Sequence, residues 1–322
     1  MAPGNEASRD KLDVVVVSYQ VRELLRACLR SVRAQGDVVA DCWVFDNASS
    51  DGSADMVAAE FPEMRLVRSR ENLGFGRANN RVMRESGAGV FALVNPDVEL
   101  SAGSLRTALG ELAREPRAGV LGVSLANPDG SPQPSRFAFP GLGNQALEAL
   151  GLHRLAARLG VATPSVGPER AHHTGPAPWV SGACMLVTRE LFQRSGGFDE
   201  DFFLYGEEME WCWRAHATGF GVRHTTQVRV LHHGGASGAD QLGAVFVRNL
   251  EGRLEFLRRH RGAWRAAITR ELFTLGSLLR FGYWRLRALL AGGHPSERTR
   301  AQLERFGAVW AWRTGMGKGS AR

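Results

Sequence analysis

The chain is poor in cysteine and contains no long uncharged apolar run. Its four cysteines show no CxxC spacing, so the sequence predicts neither a zinc site nor a disulfide framework, in keeping with a reducing compartment. No apolar run approaches the roughly 20 residues that a membrane-spanning helix needs, and the polar stretch 1–11 lacks the apolar core of a signal peptide. These absences predict a cytoplasmic protein, either free or attached peripherally to the inner face of the cell membrane.

Two glycine-rich phosphate-binding patterns are also absent. The segment after residues 12–18, the first predicted strand, contains no GxGxxG. No GxxxxGK[ST] occurs anywhere in the 322 residues. Both patterns place backbone N–H groups against a diphosphate at the start of a helix. Their absence disfavours a dinucleotide-binding protein and a P-loop protein.

Positive charge is concentrated in the last quarter of the chain. Residues 241–322 contain sixteen Arg or Lys and five Asp or Glu, a net charge of +11, whereas the whole chain carries +7. This asymmetry predicts a first domain over 1–240 and a basic extension over 241–322 whose partner is an anionic surface. No recognition motif for nucleic acid accompanies the basic residues, so nucleic acid is not predicted as a partner.

Apolar runs of strand length alternate with helical spacing through the first hundred residues. Residues 12–18 form a β-branched run, and apolar residues at helical spacing follow over 21–35. Further strands are predicted over 41–45, 64–68 and 91–94, with helical segments between them. Strands that alternate with helices predict βαβ units, and therefore an α/β fold with a mostly parallel central sheet.

Polar residues follow each of the four predicted strands. The clusters are, in chain order, Ser18 with Tyr19, Asp46 with Asn47, Asn72 with Gly74, and Asn95 with Asp97. Since the ligand crevice of an open α/β sheet lies beyond the carboxyl ends of its strands, the clusters predict a nucleotide site there. Asp97 lies on a turn stiffened by Pro96, where a carboxylate can hold a hard divalent cation.

The motifs VVVVSYQ, DNASSDGS, ENLGFGRANN and LVNPDVEL occur in this order, followed by FLYGEEMEWCWR and VLHHGGAS. Together they resemble the family-2 glycosyltransferases of the GT-A fold, and in particular the rhamnosyltransferase-like branch that builds bacterial cell-surface polysaccharides. The resemblance covers roughly residues 12 to 238. It implies an inverting, metal-dependent glycosyltransferase that acts on a polysaccharide or lipid-linked glycan precursor.

The resemblance also implies the donor site. A UDP- or dTDP-sugar is the implied donor, with rhamnose as one candidate sugar. Asp46 matches the family aspartate that contacts the base, Asp97 matches the metal-binding carboxylate, and His232 stands where the family often has a histidine. Asp97 and His232 would hold the Mg²⁺ or Mn²⁺ that bridges the diphosphate, with a purely structural role as the alternative for His232. The residues implied to bind the nucleotide sugar are Ser18, Tyr19, Asp46, Asn47, Asn72, Gly74, Asn79, Asn95 and Asp97.

The stretch EEMEWCWR matches the family pattern that carries the general base. Glu208 takes the place of the family aspartate. Because a glutamate side chain is one methylene longer than an aspartate side chain, the match does not decide between Glu208 and Glu207 as the general base. Trp179 and Gly182 lie in a predicted strand that would form the floor of the acceptor pocket, where Trp179 would stack on a sugar ring, with core packing as the alternative. Arg214 is the third predicted acceptor-binding residue. An ion pair with Glu210, one helical turn earlier, is the structural alternative for Arg214. Segment 126–178, rich in Pro, Gly and His, is interpreted as an insertion or mobile flap without chemistry.

The basic extension combines an apolar face with arginines. Its apolar residues at helical spacing are Trp264, Ile268, Leu272, Leu275, Leu279, Leu286 and Leu290. A basic amphipathic helix over 262–292 suits an anionic membrane surface, and packing on the catalytic domain or on a second subunit in a homodimer is the alternative. For the whole chain, the alternative function is a catalytically silent nucleotide- or glycan-binding module at the membrane.

Overall fold

The computed structural model describes residues 11–152, 155, 173–202, 204–234, 242–291 and 295–315. Parts of several predicted segments lie outside the described residues. They are positions 1–10 of the N-terminal stretch, 153–154 and 156–172 of the predicted flap, 203 and 235–240 of the first predicted domain, and 241, 292–294 and 316–322 of the predicted basic extension, of which 292 ends the predicted membrane-facing helix.

The described residues fall into two compact units, one within 1–138 and 166–237 and the other within 139–165 and 238–322. The described residues 139–152, which the predicted boundary at 240 assigns to the first domain, thus cluster with the C-terminal helices.

The first unit is built on a mixed sheet in the order β3-β2-β1-β4-β11-β6-β12-β5, with β7 paired to β6 and β9 to β12. A separate two-stranded sheet pairs β8 with β10. The strands are β1 (Leu12–Ser18), β2 (Val39–Asp46), β3 (Arg65–Arg68), β4 (Val90–Val94), β5 (Val98–Glu99), β6 (Ala118–Ala126), β7 (Pro132–Gln133), β8 (Arg136–Phe137), β9 (Gly175–Pro176), β10 (Trp179–Val180), β11 (Cys184–Thr188) and β12 (Gly221–His232).

Most long strands of the sheet run in one direction. β1 is parallel to β2 and β4, β2 to β3, and β6 to β12. β11 is antiparallel to both β4 and β6, and so it is the reversed strand that joins the two parallel groups. All seven residues of β1 are buried, as expected of a parallel strand covered on both faces. The fold confirms the predicted α/β class.

Helices cover the sheet of the first unit. They are α1 (Arg22–Arg33), α2 (Ser53–Glu60), α3 (Gly74–Glu85), α4 (Ser104–Ala113), α6 (Arg189–Ser195) and α7 (Glu207–Ala217). α1 buries Leu25, Cys28, Leu29 and Val32, which lie on one face at the predicted spacing. These side chains belong to the same hydrophobic core as Val14 and Val16 of β1.

The second unit is helical. Its helices are α5 (Leu142–Ala149), α8 (Leu242–His260), α9 (Ala263–Leu290) and α10 (Glu297–Thr314). A small core forms around Ala149, Leu250 and Phe273. α9 crosses α5 closely at Gly276, where an added Cβ would lie 2.0 Å from the Ala149 carbonyl oxygen. No helix among residues 242–291, 295–315 and the other described ranges is long and apolar enough to cross a membrane.

In α9 the small and polar side chains are buried and most large apolar side chains are exposed, the opposite of an amphipathic helix in a soluble protein. Its buried positions include Thr269, Thr274, Gly276 and Ser277, with Phe273 as the large apolar side chain. Its exposed large apolar side chains are Trp264, Ile268, Leu275, Leu278, Leu279, Tyr283, Leu286, Leu289 and Leu290. Most of the predicted apolar face is therefore presented to solvent, since only Leu272 packs against the small core of the unit.

Candidate active site

The ends of β1 and β2 place two predicted donor-site residues side by side. Ser18 pairs with Asp46 in the register of the two strands, and the N–H of Asn47 donates to the Ser18 carbonyl at 2.8 Å. Ser18 Oγ and Asp46 Oδ1 are buried, and neither finds a hydrogen-bond partner within the described part of the chain. Because buried polar atoms are normally paired, this edge is suited to a polar ligand.

The turn before α3 is held by two of the predicted asparagines. Asn47 accepts from the N–H of Leu73 at 2.8 Å and donates to the Gly74 carbonyl at 3.1 Å. Asn72 accepts from the N–H of Gly74 at 2.9 Å. Gly74 has a φ of 78°, a left-handed conformation that favours glycine. The two asparagines therefore fix the backbone that leads into α3.

Two more predicted donor-site residues flank this edge. Tyr19 follows β1, and its ring is exposed. Asn79 lies on α3, where its side chain donates to the Phe75 carbonyl at 3.0 Å. Its Oδ1 is buried and has no hydrogen-bond partner among the residues that the structure describes.

Left-handed backbone occurs at three non-glycine residues of the described chain. They are Gln20 (φ 56°), Ala48 (φ 64°) and Tyr205 (φ 72°). Gln20 follows the end of β1, Ala48 follows the end of β2, and Tyr205 precedes α7. Such conformations cost about 1–3 kcal/mol each and cluster at functional sites. Their positions coincide with three of the loops that the sequence predicts to form the site.

Asp97 and His232 lie together at the end of β12. His232 Nε2 is 3.4 Å from Asp97 Oδ1, and the N–H of His233 donates to the Asp97 carbonyl at 3.0 Å. The pairing of Val98 with His232 between β5 and β12 produces this approach. An imidazole nitrogen and a carboxylate oxygen so placed are suitable ligands for Mn²⁺ or Mg²⁺. Within the described ranges, no group of three or more His, Cys, Asp or Glu could hold a metal, so a cation there would need further oxygen ligands.

The Asp97–His232 pair and the carboxylates of α7 are connected through the residues that precede β11. The N–H of Asn95 donates to the Ala183 carbonyl at 2.8 Å. At the neighbouring Gly182, an added Cβ would lie 3.7 Å from Glu208 Cβ. The structure thus brings Asn95, Gly182 and Glu208, predicted from separate motifs, into one stretch of the site.

Glu207 and Glu208 begin α7 and lie in a poorly solvated environment. Burial raises the pKa of both carboxyl groups above the usual glutamate value. For Glu208, backbone N–H groups, including that of Gly182, partly offset the effect of burial on the pKa. For Glu207, the nearby charge of Glu208 raises the pKa further, and Glu207 Oε2 has no hydrogen-bond partner within the described chain. Carboxyls with raised pKa values suit general acid–base chemistry near neutral pH.

The remaining predicted acceptor residues have defined partners. Trp179 stacks on Phe137 with ring centroids 4.3 Å apart, and its Nε1 donates to the Ala138 carbonyl at 2.9 Å. One face of the indole is therefore covered by Phe137.

The Arg214 guanidinium forms an ion pair with Glu210 at 2.7 Å and also donates to the carbonyls of Ser195 and Gly197. These contacts hold α7 against the end of α6. Acceptor binding by Arg214 stays a prediction.

Sequence reasoning missed Gln133. Its Oε1 lies 2.5 Å from His232 Nδ1, although the predicted flap 126–178 was assigned no chemistry. The available signal was the turn sequence Asn-Pro-Asp-Gly at 127–130, which predicts a sharp reversal after a strand. That reversal pairs β7 with β6 and carries Gln133 back along the sheet.

The mixed sheet and the helices that cover it form an α/β domain of the GT-A type. The structure of a mannosyltransferase from Pyrobaculum calidifontis, solved with GDP-Man and Mn²⁺, shares this fold. It aligns with 96% of this chain and 88% of its own, with a TM-score of 0.57 and 17% identity.

The chain belongs to glycosyl transferase family 2, whose family model matches residues 13–156. It is 31% identical over 275 residues to the N-acetylglucosaminyl-diphospho-decaprenol L-rhamnosyltransferase of Mycobacterium tuberculosis, covering 80% of this chain and 88% of that protein. It is also 24% identical over 233 residues to the low-salt glycan biosynthesis hexosyltransferase Agl10 of Haloferax volcanii, covering 70% of this chain and 67% of that one. These similarities confirm the family and the rhamnosyltransferase branch predicted from the motifs.

Proposed function

We propose that this glycosyltransferase moves a sugar, with rhamnose as the first candidate, from a dTDP- or UDP-sugar to a hydroxyl of a lipid-linked glycan precursor, with inversion. The observation that carries the proposal is the Asp97–His232 pair, joined by the Asn95–Ala183 hydrogen bond to the stretch that lies beside Glu208 of α7. The name of the mycobacterial relative, a rhamnosyltransferase acting on a diphospho-decaprenol-linked sugar, supports the choice of sugar and acceptor.

The nucleotide would lie along the ends of β1 and β2. Ser18 Oγ and Asp46 Oδ1 are buried there without partners in the described chain, and the base or ribose would supply them. Asp46 Oδ2 already accepts from the N–H of Ser49 at 3.1 Å. One carboxylate oxygen is thus fixed by the loop while the other remains available to the donor.

Asp97 and His232 would hold Mg²⁺ or Mn²⁺ together with oxygens of the diphosphate. When bound, the cation supplies positive charge to the diphosphate as it leaves the sugar. The presence of Mn²⁺ with GDP-Man in the mannosyltransferase of the same fold supports metal dependence.

Glu208 would be the general base and Glu207 its protonated neighbour. Burial and the charge of Glu208 both favour a proton on Glu207, whereas backbone N–H groups stabilise charge on Glu208. Glu208 can then take the proton from the acceptor hydroxyl while the oxygen of that hydroxyl attacks the anomeric carbon of the donor sugar. One base and a single displacement invert the configuration at that carbon, since no covalent enzyme intermediate is formed.

Two variants test the proposal. Glu208→Gln should lower kcat about 10²- to 10⁴-fold, the usual contribution of a general base, and should keep the thermal stabilisation by dTDP-rhamnose with Mn²⁺. Asp97→Ala should abolish the Mn²⁺-dependent part of that stabilisation, because ligand binding to the folded state raises its apparent stability. Glu190→Gln, at an exposed ion pair with Arg194, is the matched carboxylate control.

The outcomes separate the proposal from its alternative. Full activity in Glu208→Gln would show that another group removes the proton. Stabilisation by the nucleotide sugar without any consumption of it would favour a catalytically silent binding module.

We further propose that the exposed apolar face of α9 lies on an anionic membrane. Arg265, Arg285 and Arg287 lie on the same helix, where Arg285 and Arg287 are exposed, and residues 241–322 carry a net charge of +11. A second copy of the chain would bring two such positive extensions together, so an anionic lipid surface is the better complement. This placement would keep the enzyme at the surface where a lipid-linked acceptor resides. Co-sedimentation with anionic vesicles tests it.

A further inference from the structure

The β6–β7 turn carries a chain of polar side chains to His232. The N–H of Asn127 donates to the Ser131 carbonyl at 2.9 Å, and the N–H of Gly130 donates to the Asn127 carbonyl at 2.8 Å. Gln133, on β7, follows the turn, and its side chain lies between Asn127 and His232.

The direction of the hydrogen bonds is set at Asp129. Hydrogen bonds from the hydroxyl and the N–H of Ser131 lower the pKa of the Asp129 carboxyl, so this group is charged and only accepts. Ser131 Oγ therefore donates its proton to Asp129 Oδ1, at 2.5 Å. Because the Ser131 hydroxyl proton is used in this bond, Ser131 Oγ can only accept a hydrogen bond from Asn127. The atom of Asn127 that lies 2.9 Å from Ser131 Oγ is therefore the donor Nδ2.

The orientation of Asn127 fixes the orientation of Gln133 and the proton position on His232. Because Asn127 Nδ2 faces Ser131, Asn127 Oδ1 faces Gln133 and accepts from its Nε2 at 3.0 Å. Gln133 Oε1 must then face His232 Nδ1, which carries the proton of this hydrogen bond. With the proton on Nδ1, Nε2 carries the lone pair of the ring and lies 3.4 Å from Asp97 Oδ1. A nitrogen lone pair and a carboxylate oxygen at this distance can bind one cation together.

We propose that Gln133 is a positioning residue, which fixes the neutral His232 tautomer whose Nε2 can bind the metal, and that Asn127, Asp129 and Ser131 fix Gln133 in turn. Partners of this kind orient a ligating imidazole and raise metal affinity. The proposal rests on the ligand role of His232 in the proposed function, but the tautomer itself can be measured in the metal-free protein.

The test is the nitrogen-15 spectrum of the His232 ring, assigned by comparison with His232→Gln and recorded above the titration range of imidazole. The wild-type protein without metal should show the Nδ1–H tautomer. Gln133→Leu should shift His232 toward Nε2–H and should weaken Mn²⁺ binding in the presence of dTDP about 10- to 100-fold, measured by electron paramagnetic resonance. Gln133→Glu retains an acceptor and should retain the wild-type tautomer.

Gln227→Leu is the matched control, because Gln227 is an exposed glutamine on β12. It should change neither the spectrum nor the Mn²⁺ affinity. A wild-type Nε2–H tautomer, or a Gln133→Leu variant with unchanged tautomer and Mn²⁺ affinity, would overturn the proposal. If the tautomer behaved as expected but His232→Gln left Mn²⁺ affinity unchanged, the metal-ligand role of His232 would be wrong, and with it the positioning role of Gln133.

Discussion

The exposed face of α9 gives a quantitative prediction for membrane binding. Leu279 and Leu286 are 62% and 56% exposed. Burial of a whole leucine side chain contributes about 1.5–3 kcal/mol, so burying the exposed parts in a lipid interface would contribute roughly 1–2 kcal/mol each. The double variant Leu279→Gln/Leu286→Gln should therefore lose about 2–4 kcal/mol of partition free energy, a roughly 30- to 900-fold weaker association.

Co-sedimentation with vesicles of phosphatidylglycerol and phosphatidylcholine measures this loss. Binding of the wild-type protein should fall as salt is added, because the arginines of the extension are screened. Leu242→Gln, at a 47% exposed leucine on α8, is the matched control and should bind as the wild-type protein does. Both sites of the double variant are exposed, so its unfolding free energy should change little.

Two results would refute this reasoning. Unchanged vesicle binding by the double variant would show that α9 does not enter the lipid interface. A lipid-free dimer that the double variant converts to a monomer, seen by sedimentation velocity, would instead identify the face as a subunit interface.

Two further predictions concern stability. Gly122→Ala should lower the free energy of unfolding, measured by urea denaturation, by about 1–3 kcal/mol, because the added Cβ would lie 2.5 Å from Val180 Cβ. The control is Gly110→Ala, at an open helical position, which should be neutral or stabilising. Equal losses of unfolding free energy in both variants would contradict the packing argument. For Glu207, the raised native pKa means that the folded state holds more protons than the unfolded chain above about pH 4.3, so wild-type stability should fall as pH rises from there through the native pKa. Glu207→Gln should weaken this pH dependence in a urea denaturation series, and equal slopes in the two proteins would contradict it.

The N-terminal half of the sheet could be predicted because its signals are local. The β-branched run that became β1 and the helical spacing that became α1 depend only on neighbouring residues. Polar residues at the strand ends follow from the same segmentation. For these reasons the α/β fold and the clustering of Ser18 with Asp46 could be predicted from the sequence.

The second half of the site depends on pairing between distant segments. β11 enters the sheet between β4 and β6, in the reversed direction, and no periodicity in its five residues indicates that neighbour. The role of Gln133 depends on a turn and on the orientation of two side-chain amides. Hydrogen-bond direction is a property of the folded network, which is why Gln133 was missed.

The contact between β5 and β12 joins the two halves of the chain at the proposed metal pair. Asp97 immediately precedes β5, whereas His232 ends the last strand of the sheet. A partly folded chain that had assembled only β1 to β4 could offer the nucleotide edge but would lack the imidazole. High affinity for the cation would therefore require the last strand of the sheet to be in place. A molecule that lacked this strand would not bind the diphosphate of the donor through the cation.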